Sequence, residues 1–514
     1  MKLVIKGHVV PLAADTTVSA GALDHFAGRV WISDGVIAAV TRGRKAGPAG
    51  FEGAPVVDTG SALIFPGLID LHNHLAYNTL PLWAQQDRSV PWSHHNAWPQ
   101  AKSYTPSITW PATALVQGAP EALLAYVETK ALVGGTTTIQ GSPPRNKPTD
   151  GWIVRNVDDE AFGTKNKGLV YVSTLTQDEP HLADRANKMR AGSIFIYHCA
   201  EGQRGSLVVR EFDDAVVAGC LQDRFVAIHC NALTASQFHR WRAAGAVVWS
   251  PFSNLWLYGM TTDVQAARAE GLHVCLGSDW GPSGTKHVLG ELKVARLVSD
   301  QMGWGLSDSD LVQMVTSSPG DVLARGWKRQ VGRLQPQALA DVIVVGAPAR
   351  ADPFSALVKA RERDIKLVLI DGRPCYGTAE LMSAAKATCL TSLEVAGERR
   401  ALSLTHLGAP SSPWAWSDVV ARLEQVRDHP KEELEKARGA YAAYAGRLHT
   451  EEAPLRLALD MPTGIAPVGG LPKDLGKISI PKLDSLTHDP AFLESLSGRG
   501  FHGRVLDRLA EFYG

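Results

Sequence analysis

The sequence predicts an α/β fold: a (β/α)8 TIM-like barrel, a small split β-sandwich domain formed by both flanks, and a C-terminal helical extension. Three observations predict it. About eight compact apolar runs alternate with helical stretches over roughly 270 residues, the size of a closed (β/α)8 unit. Short alternating segments at the N-terminus return in kind beyond residue 330. Past residue 380 the sequence becomes charged, Ala- and Leu-rich and helical in pattern, with Pro-rich connections.

The flanking segments are 3–5, 30–33 and 36–40, separated by Gly and Asp turns, and then 341–345 and 367–370 before the turn Asp371-Gly372. Each set is too short to bury a core alone, so the two are expected to complete one split β domain from residues 1–62 and 331–380. The barrel is expected over 63–330, with strands at 66–71, 136–141, 152–155, 169–174, 194–198, 225–229, 247–250 and 274–277. The helical extension is expected over 381–514, clearest at 416–427 and 432–447. The stretch between His74 and the helix near Glu121 holds Trp83, Trp92, His94, His95, Trp98 and Tyr104, and reads as an ordered loop over the barrel mouth.

Composition narrows the function. Lys plus Arg equals Asp plus Glu at 52 each in 514 residues, so no global field attracts nucleic acid or an anionic membrane. No stretch approaches the roughly 20 apolar residues of a membrane span, and the N-terminus lacks the apolar region of a signal peptide. Six cysteines are sparse for the length, and Cys199, Cys230 and Cys275 stand in apolar runs rather than CxxC pairs. Buried thiols and a cytoplasmic setting follow as expectations. The expected partner is a small-molecule substrate, which leaves room for a homo-oligomer.

The chemistry is carried by residues at the ends of the predicted strands. His72 and His74 stand two apart after the first strand, and period-two alternation points both to one face, where two imidazoles can meet one metal. His198, His229 and Asp279 occupy the C-terminal ends of three later strands. Taken singly, each histidine reads more readily as a hydrogen-bonded core residue. Five such residues at matching strand ends reverse that reading, because those ends converge on the one mouth where barrel active sites are built.

These residues sit in motifs that resemble the amidohydrolase superfamily, in particular the branch containing cytosine, guanine and S-adenosylhomocysteine deaminases and the triazine hydrolases. The resemblance spans roughly 1–375. It rests on Phe65-Pro66-Gly67-Leu68-Ile69-Asp70-Leu71-His72-Asn73-His74, Gly135-Thr136-Thr137-Thr138, His198-Cys199-Ala200-Glu201, His229-Cys230, Ser250-Pro251-Phe252-Ser253-Asn254 and Gly277-Ser278-Asp279, in that order. It implies that His72, His74, His198 and Asp279 are metal ligands and that Glu201 and His229 are catalytic groups beside the metal. The family's binuclear members use a carboxylated lysine on the fourth strand, but Val172-Ser173-Thr174 stands here, which implies a single ion. Gln140 and Gly141 replace an acidic residue that often follows Gly-Thr-Thr-Thr, so an interaction beneath the mouth is expected to differ.

Physical chemistry is consistent with these roles. Three neutral imidazoles and a carboxylate leave room on one divalent ion, zinc before iron or manganese, for a water whose pKa falls to about 7. Asp279 can accept a proton from that water, His229 can hydrogen-bond the attacking or polarised oxygen, and Glu201 can shuttle a proton. Glu201 also admits a simple reading as a surface residue opening a helix. Trp83, Trp92, His95, Asn254, Trp256 and Tyr258 are candidate substrate contacts, with packing alone as their alternative.

The activity expected is hydrolytic deamination of a heteroaromatic or cyclic amidine substrate. Amide or carbamate hydrolysis at the same metal site is the enzymatic alternative, and a non-catalytic barrel used for binding or assembly is the remaining one.

Overall fold

The computed structural model describes residues 1–18, 21, 23–141, 153–157, 169–173, 177–241, 245–347, 350–404, 414–448 and 471–514, with side chains omitted over 440–448. Thr174, Trp152 and part of the helical stretch 432–447 therefore lie outside the described residues or side chains.

Eight parallel strands form two arcs. Leu68–Asp70, Thr136–Ile139 and Arg155–Asn156 make one; Val170–Ser173, Ile194–Cys199, Phe225–His229, Ala246–Trp249 and His273–Leu276 make the other. Each overlaps or directly abuts a strand expected from the sequence. The first strand lies beside the eighth: the Leu71 N–H donates to the Leu276 carbonyl (3.3 Å), and Asn73 bridges Asp279. This is a TIM-barrel-like α/β arrangement.

Its two faces sort by alternation. Ile194, Ile196, Val226, Ile228, Ala246, Val248 and Cys275 pack with Ile69 and Leu71 of the facing arc, filling the inside. Phe195, Tyr197, Phe225, Ala227 and Val247 instead join the core beneath the surrounding helices, such as Glu179–Arg190 and Val209–Val217. Strands buried on both faces read as near-continuous apolar runs, which is why the sequence exposes them so plainly.

Both flanks meet in one sheet of nine strands. Lys2–Val9, Phe26–Ser33, Val36–Arg42 and Val56–Pro66 come from the N-terminal side, and Val342–Val345, Ile365–Ile370 and Arg373–Gly377 from the other. The sheet then continues into Leu390–Val395 and Glu398–Ser403. The expectation of an all-helical segment over 381–514 is corrected there. The short turn Ala396-Gly397 closes a hairpin whose alternation in charged sequence looks helical by composition alone. Helices follow at Trp416–Asp428 and Pro430–Leu448.

All six cysteines are free, and five are buried, with Cys389 exposed. Among the described residues no helix is long and apolar enough to cross a membrane.

One buried ion pair fastens the flanking sheet to the eight-stranded unit. Arg155 donates from Nε and Nη2 to both oxygens of Asp341 (2.9 and 2.8 Å) and to Asp371 (2.6 Å), with its side chain 4% and that of Asp341 0% exposed. Asp341 also accepts the Asp371 N–H (2.9 Å), so removing the guanidinium strands a buried carboxylate. Arg155→Met is expected to destabilise the protein by about 3–5 kcal/mol, read as a lowered unfolding midpoint in thermal melts. An unchanged midpoint would deny this pair its structural role.

Candidate metal centre

Each residue of the centre stands where a strand gives way to a loop. His72 Nε2 lies 3.2 Å and His74 Nε2 3.6 Å from the same oxygen of Asp279. The His72 and His198 rings are 4.7 Å apart, and His74 stacks on His198 at 5.4 Å. His229 Nε2 lies 4.0 Å from the other Asp279 oxygen and 3.7 Å from Glu201 Oε1. The structure thus brings together all six residues that the sequence singled out.

Local backbone makes this convergence possible. Ala200, His229, Cys230 and Asp279 all have positive φ (54°, 67°, 54° and 61°), a conformation that costs a non-glycine residue roughly 1–2 kcal/mol. At His229 the consequence is directional. It pairs with Cys199 and shares the outward alternation of Phe225 and Ala227, yet its left-handed backbone turns the imidazole back toward His198. Ladder bonds at the same points offset the strain, including Cys230 N–H to Cys199 carbonyl (3.0 Å) and Asp279 N–H to His72 carbonyl (3.0 Å). Gly277 is required sterically, since a Cβ there would lie 2.5 Å from that of His72.

Hydrogen bonds assign different faces to the imidazoles. His72 Nδ1–H donates to Gln140 Oε1 (3.3 Å), leaving the Nε2 lone pair toward Asp279. Gln140 therefore takes up the position beneath the mouth at which an acidic residue was missed in the sequence. At His229 the arrangement is reversed: Asn254 Nδ2 donates to Nδ1 (3.0 Å), so the ring carries its proton on Nε2, facing Glu201 and Asp279. His72 thus presents a lone pair to the cluster and His229 a proton.

The donor set suits a divalent ion. The atoms of His72, His74 and His198 all lie within 4.8 Å of one another, as do those of His72, His229 and Asp279. Four ligands on a zinc ion are about 3.4 Å apart, and the two distances to Asp279 straddle that value. Burial holds the imidazoles neutral, with His74 lowered to about 3 and His198 well below its ordinary value, and only the neutral ring offers a lone pair. Burial opposes ionisation of Asp279, but the surrounding imidazoles of His72, His229 and His74 outweigh it and hold the carboxyl well below the usual range.

Glu201 is held differently. Burial pushes its carboxyl up to about 7, against the pull of His95, with the nearby Asp279 charge adding to the rise. Tyr258 donates to it (2.6 Å), and Trp98 in turn donates to the Tyr258 hydroxyl (3.0 Å). The surface reading of Glu201 is excluded, since it is 4% exposed.

The candidate substrate residues divide. Asn254 and Tyr258 touch His229 and Glu201 as above. His95 lies behind Glu201, donating through its backbone N–H to the Glu201 carbonyl (3.1 Å) and pairing through Nε2 with Glu211 (2.8 Å). Trp83 and Trp92 stack at 6.3 Å, and Trp83 meets the edge of Tyr104. Trp256 packs between Phe252 and His502, one layer further out.

Three residues escaped the sequence reading. Trp280 lies 6.4 Å from the His74 ring and 5.3 Å from Trp98, beside the metal centre; its position directly after Asp279 was a usable signal. Asp70 accepts the Ser278 N–H (3.0 Å) and the Asn73 amide (3.2 Å), tying the first strand to the eighth. Glu211 accepts the Ala200 N–H (2.9 Å) as well as His95. A lone glutamate on a helix carries no pattern that would reveal this.

With this geometry in hand, comparison with known proteins is direct. Residues 189–375 match the model of the Amidohydrolase family. Over 377 residues, 65% of the chain and 85% of the relative, it is 26% identical to a 5-methylthioadenosine/S-adenosylhomocysteine deaminase of Halobacterium salinarum. Among solved structures it resembles a zinc-bound adenosine deaminase from Xanthomonas campestris, with TM-score 0.56 and 17% identity, covering 84% of this chain and 98% of that one. It likewise resembles a zinc-complexed atrazine chlorohydrolase from Arthrobacter aurescens, with TM-score 0.57 and 15% identity, covering 75% and 99%. These structures share their fold with the present chain.

The contrast between His72 and His229 yields a test. Elemental analysis of the purified protein is expected to give about one divalent ion per chain. His72→Ala and His198→Ala should lose it, whereas His229→Ala should keep it near the wild-type level. Metal loss in His229→Ala would make that imidazole a ligand, and two tightly held ions in the wild type would contradict a single centre.

Proposed function

We propose that this metal-dependent hydrolase of carbon–nitrogen bonds, other than peptide bonds, deaminates a heteroaromatic or cyclic amidine ring, with its centre on a closed (β/α)8 barrel. His72, His74, His198 and Asp279 hold one ion, zinc as in the two structures above. Such an ion supplies Lewis acidity that makes water nucleophilic at neutral pH. Everything else falls to the chain's own side chains.

The observation that carries this reading is Glu201: a buried carboxyl poised near 7, fixed by Tyr258, 3.7 Å from the protonated nitrogen of His229. Amide hydrolysis needs a proton at the leaving nitrogen only. Deamination of a ring needs one at the ring nitrogen as well, to make the adjacent carbon electrophilic, and a carboxyl that exchanges protons near neutrality suits that step.

The roles follow from position. Glu201 gives a proton to the ring nitrogen, water adds to the neighbouring carbon, and Asp279 takes the proton that water gives up. His229 Nε2–H hydrogen-bonds the entering oxygen. The proton on Asp279 passes to the amino group, the carbon–nitrogen bond breaks and ammonia leaves, while the remaining hydroxyl proton of the added oxygen returns to the Glu201 carboxylate as the ring carbonyl forms. Trp280, Trp98 and Tyr104 offer flat faces against which a planar ring can stack. An aminopurine nucleoside is the class to test first, since the curated relatives are named as 5-methylthioadenosine/S-adenosylhomocysteine deaminases.

Zinc-loaded protein is expected to release free ammonia from 5′-methylthioadenosine, S-adenosylhomocysteine or adenosine, and no carboxylate from amide or carbamate substrates. Glu201→Gln should keep its metal while kcat falls by roughly 10²–10⁴. Turnover of Glu201→Gln at the wild-type rate, or carboxylate as the product, would overturn the deaminase reading.

A further inference from the structure

The segment Leu471–Gly514 lies beyond the family match, which ends at residue 375, yet it is packed against the metal centre's outer wall. Two carboxylates hold it there, Glu362 buried and Asp484 partly so. Asp484 receives both Lys130 (2.5 Å) and Lys286, two lysines 1% exposed, while its N–H donates to the Thr79 carbonyl (2.9 Å) and Tyr126 donates to its own carbonyl (2.7 Å). Glu362 receives the His488 N–H (3.0 Å) and Nδ1 (2.6 Å), with His287 at 3.4 Å and the Tyr513 hydroxyl at 3.5 Å.

His287, Glu362 and His488 have the composition of a second metal site. Their surroundings argue for a latch instead. Lys293 and Lys130 act on His287, and Lys286 acts on His488; Asp484 already pairs with Lys130 and Lys286, so a dication here would have Glu362 as its one carboxylate ligand, with the Lys293 ammonium still opposing it. Glu362 already accepts two hydrogen bonds from His488, one from the backbone and a short one from the ring.

Between and beyond these anchors the segment touches the pocket wall. The Arg499 guanidinium donates to the Leu82 carbonyl (3.4 Å), and the Phe501 N–H donates to the Trp256 carbonyl (3.2 Å). Gly500, at φ 68°, lies so close that a Cβ would come within 2.6 Å of the Trp256 ring. His502 lies parallel to that indole, 4° between planes at 5.9 Å. Trp256 donates to the Trp83 carbonyl (2.7 Å), Trp83 packs on Tyr104, Tyr104 on Trp280, and Trp280 on His74. The contacts run without a break from the C-terminal segment to a proposed metal ligand.

We propose that residues 471–514 are an integral part of the catalytic pocket and that His502 is a positioning residue, setting the aromatic wall that receives the substrate ring through Trp256 and Trp83. The proposal rests on the deaminase reading only for the nature of the ring. A chain lacking these contacts keeps its metal ligands but loses the register of its outer wall. Substrate affinity suffers first, because His502 reaches no reacting atom.

The test uses the full-length, zinc-loaded protein with His502→Ala, His502→Gln as a milder second variant, and His502→Phe to restore the flat ring. Backbone amides of residues 80–104 are expected to exchange hydrogen about tenfold faster in His502→Ala, those of 194–199 and 225–229 unchanged, metal content unchanged, and His502→Phe between His502→Ala and wild type, because it restores the flat ring but not the ring's bonds to the Leu496 carbonyl (3.2 Å) and from the Leu506 N–H (3.3 Å). With 5′-methylthioadenosine as substrate, KM should rise about tenfold while kcat stays within about threefold. Unaltered exchange over 80–104 in His502→Ala, or in His502→Gln if the first does not fold, would overturn the proposal. If the wild type turns over no ring amine, the deaminase reading fails and the exchange data alone decide the fate of the wall.

Discussion

Asp279 is a carboxylate in a place where a carboxylate should not survive alone, 3% exposed beside the imidazoles of His72, His74 and His229. It is tolerated because His229 turns its Nε2–H toward it and because a cation can join it to the lone pair of His72. His72 and His74 approach one oxygen and His229 the other, and the backbone on both sides is clamped to the first strand through the His72 carbonyl and the His74 N–H. A buried anion without partners costs several kcal/mol. The same cost makes the cluster a strong receptor for a cation. The closing contact between first and eighth strands, the strained strand ends and the amide chain from Asp70 through Asn73 all serve to hold that one group.

Two carboxyls in one pocket are thereby driven apart. Asp279 is kept ionised, while Glu201, only a few ångströms away across His229, is pushed up to about 7 by burial and by the Asp279 charge itself. One stays ionised and the other can carry a proton, a division that a solvated pair would lack. Tautomers reinforce it. Gln140 fixes His72 with its lone pair inward, and Asn254 fixes His229 with its proton inward.

Much of this was legible in the sequence, for reasons specific to each part. The eight strands are buried on both faces, so they stand out as apolar runs whatever their partners. His72, His74, His198 and Asp279 could be read because strand ends in this architecture converge. His229 was found through its place after a strand, although simple alternation would have turned it outward; only the positive φ in the structure explains why it faces the centre. Glu211 and Asp70 were passed over because they act on backbone N–H groups, a relation that leaves no spacing to detect. The hairpin at 390–403 was hidden by composition, its outward residues being charged as a helix's would be. The docking of the last forty or so residues depends on Asp484 meeting two lysines from distant parts of the chain, which no local pattern foretells.

The most direct measurement is anomalous scattering from crystals of the zinc-loaded protein. One peak per chain is expected, bonded at roughly 2.0–2.2 Å to His72 Nε2, His74, His198 and an Asp279 oxygen, with His229 beyond bonding distance. A second peak within the same cluster, or a lone peak between His287, Glu362 and His488, would contradict a single metal centre organised around Asp279.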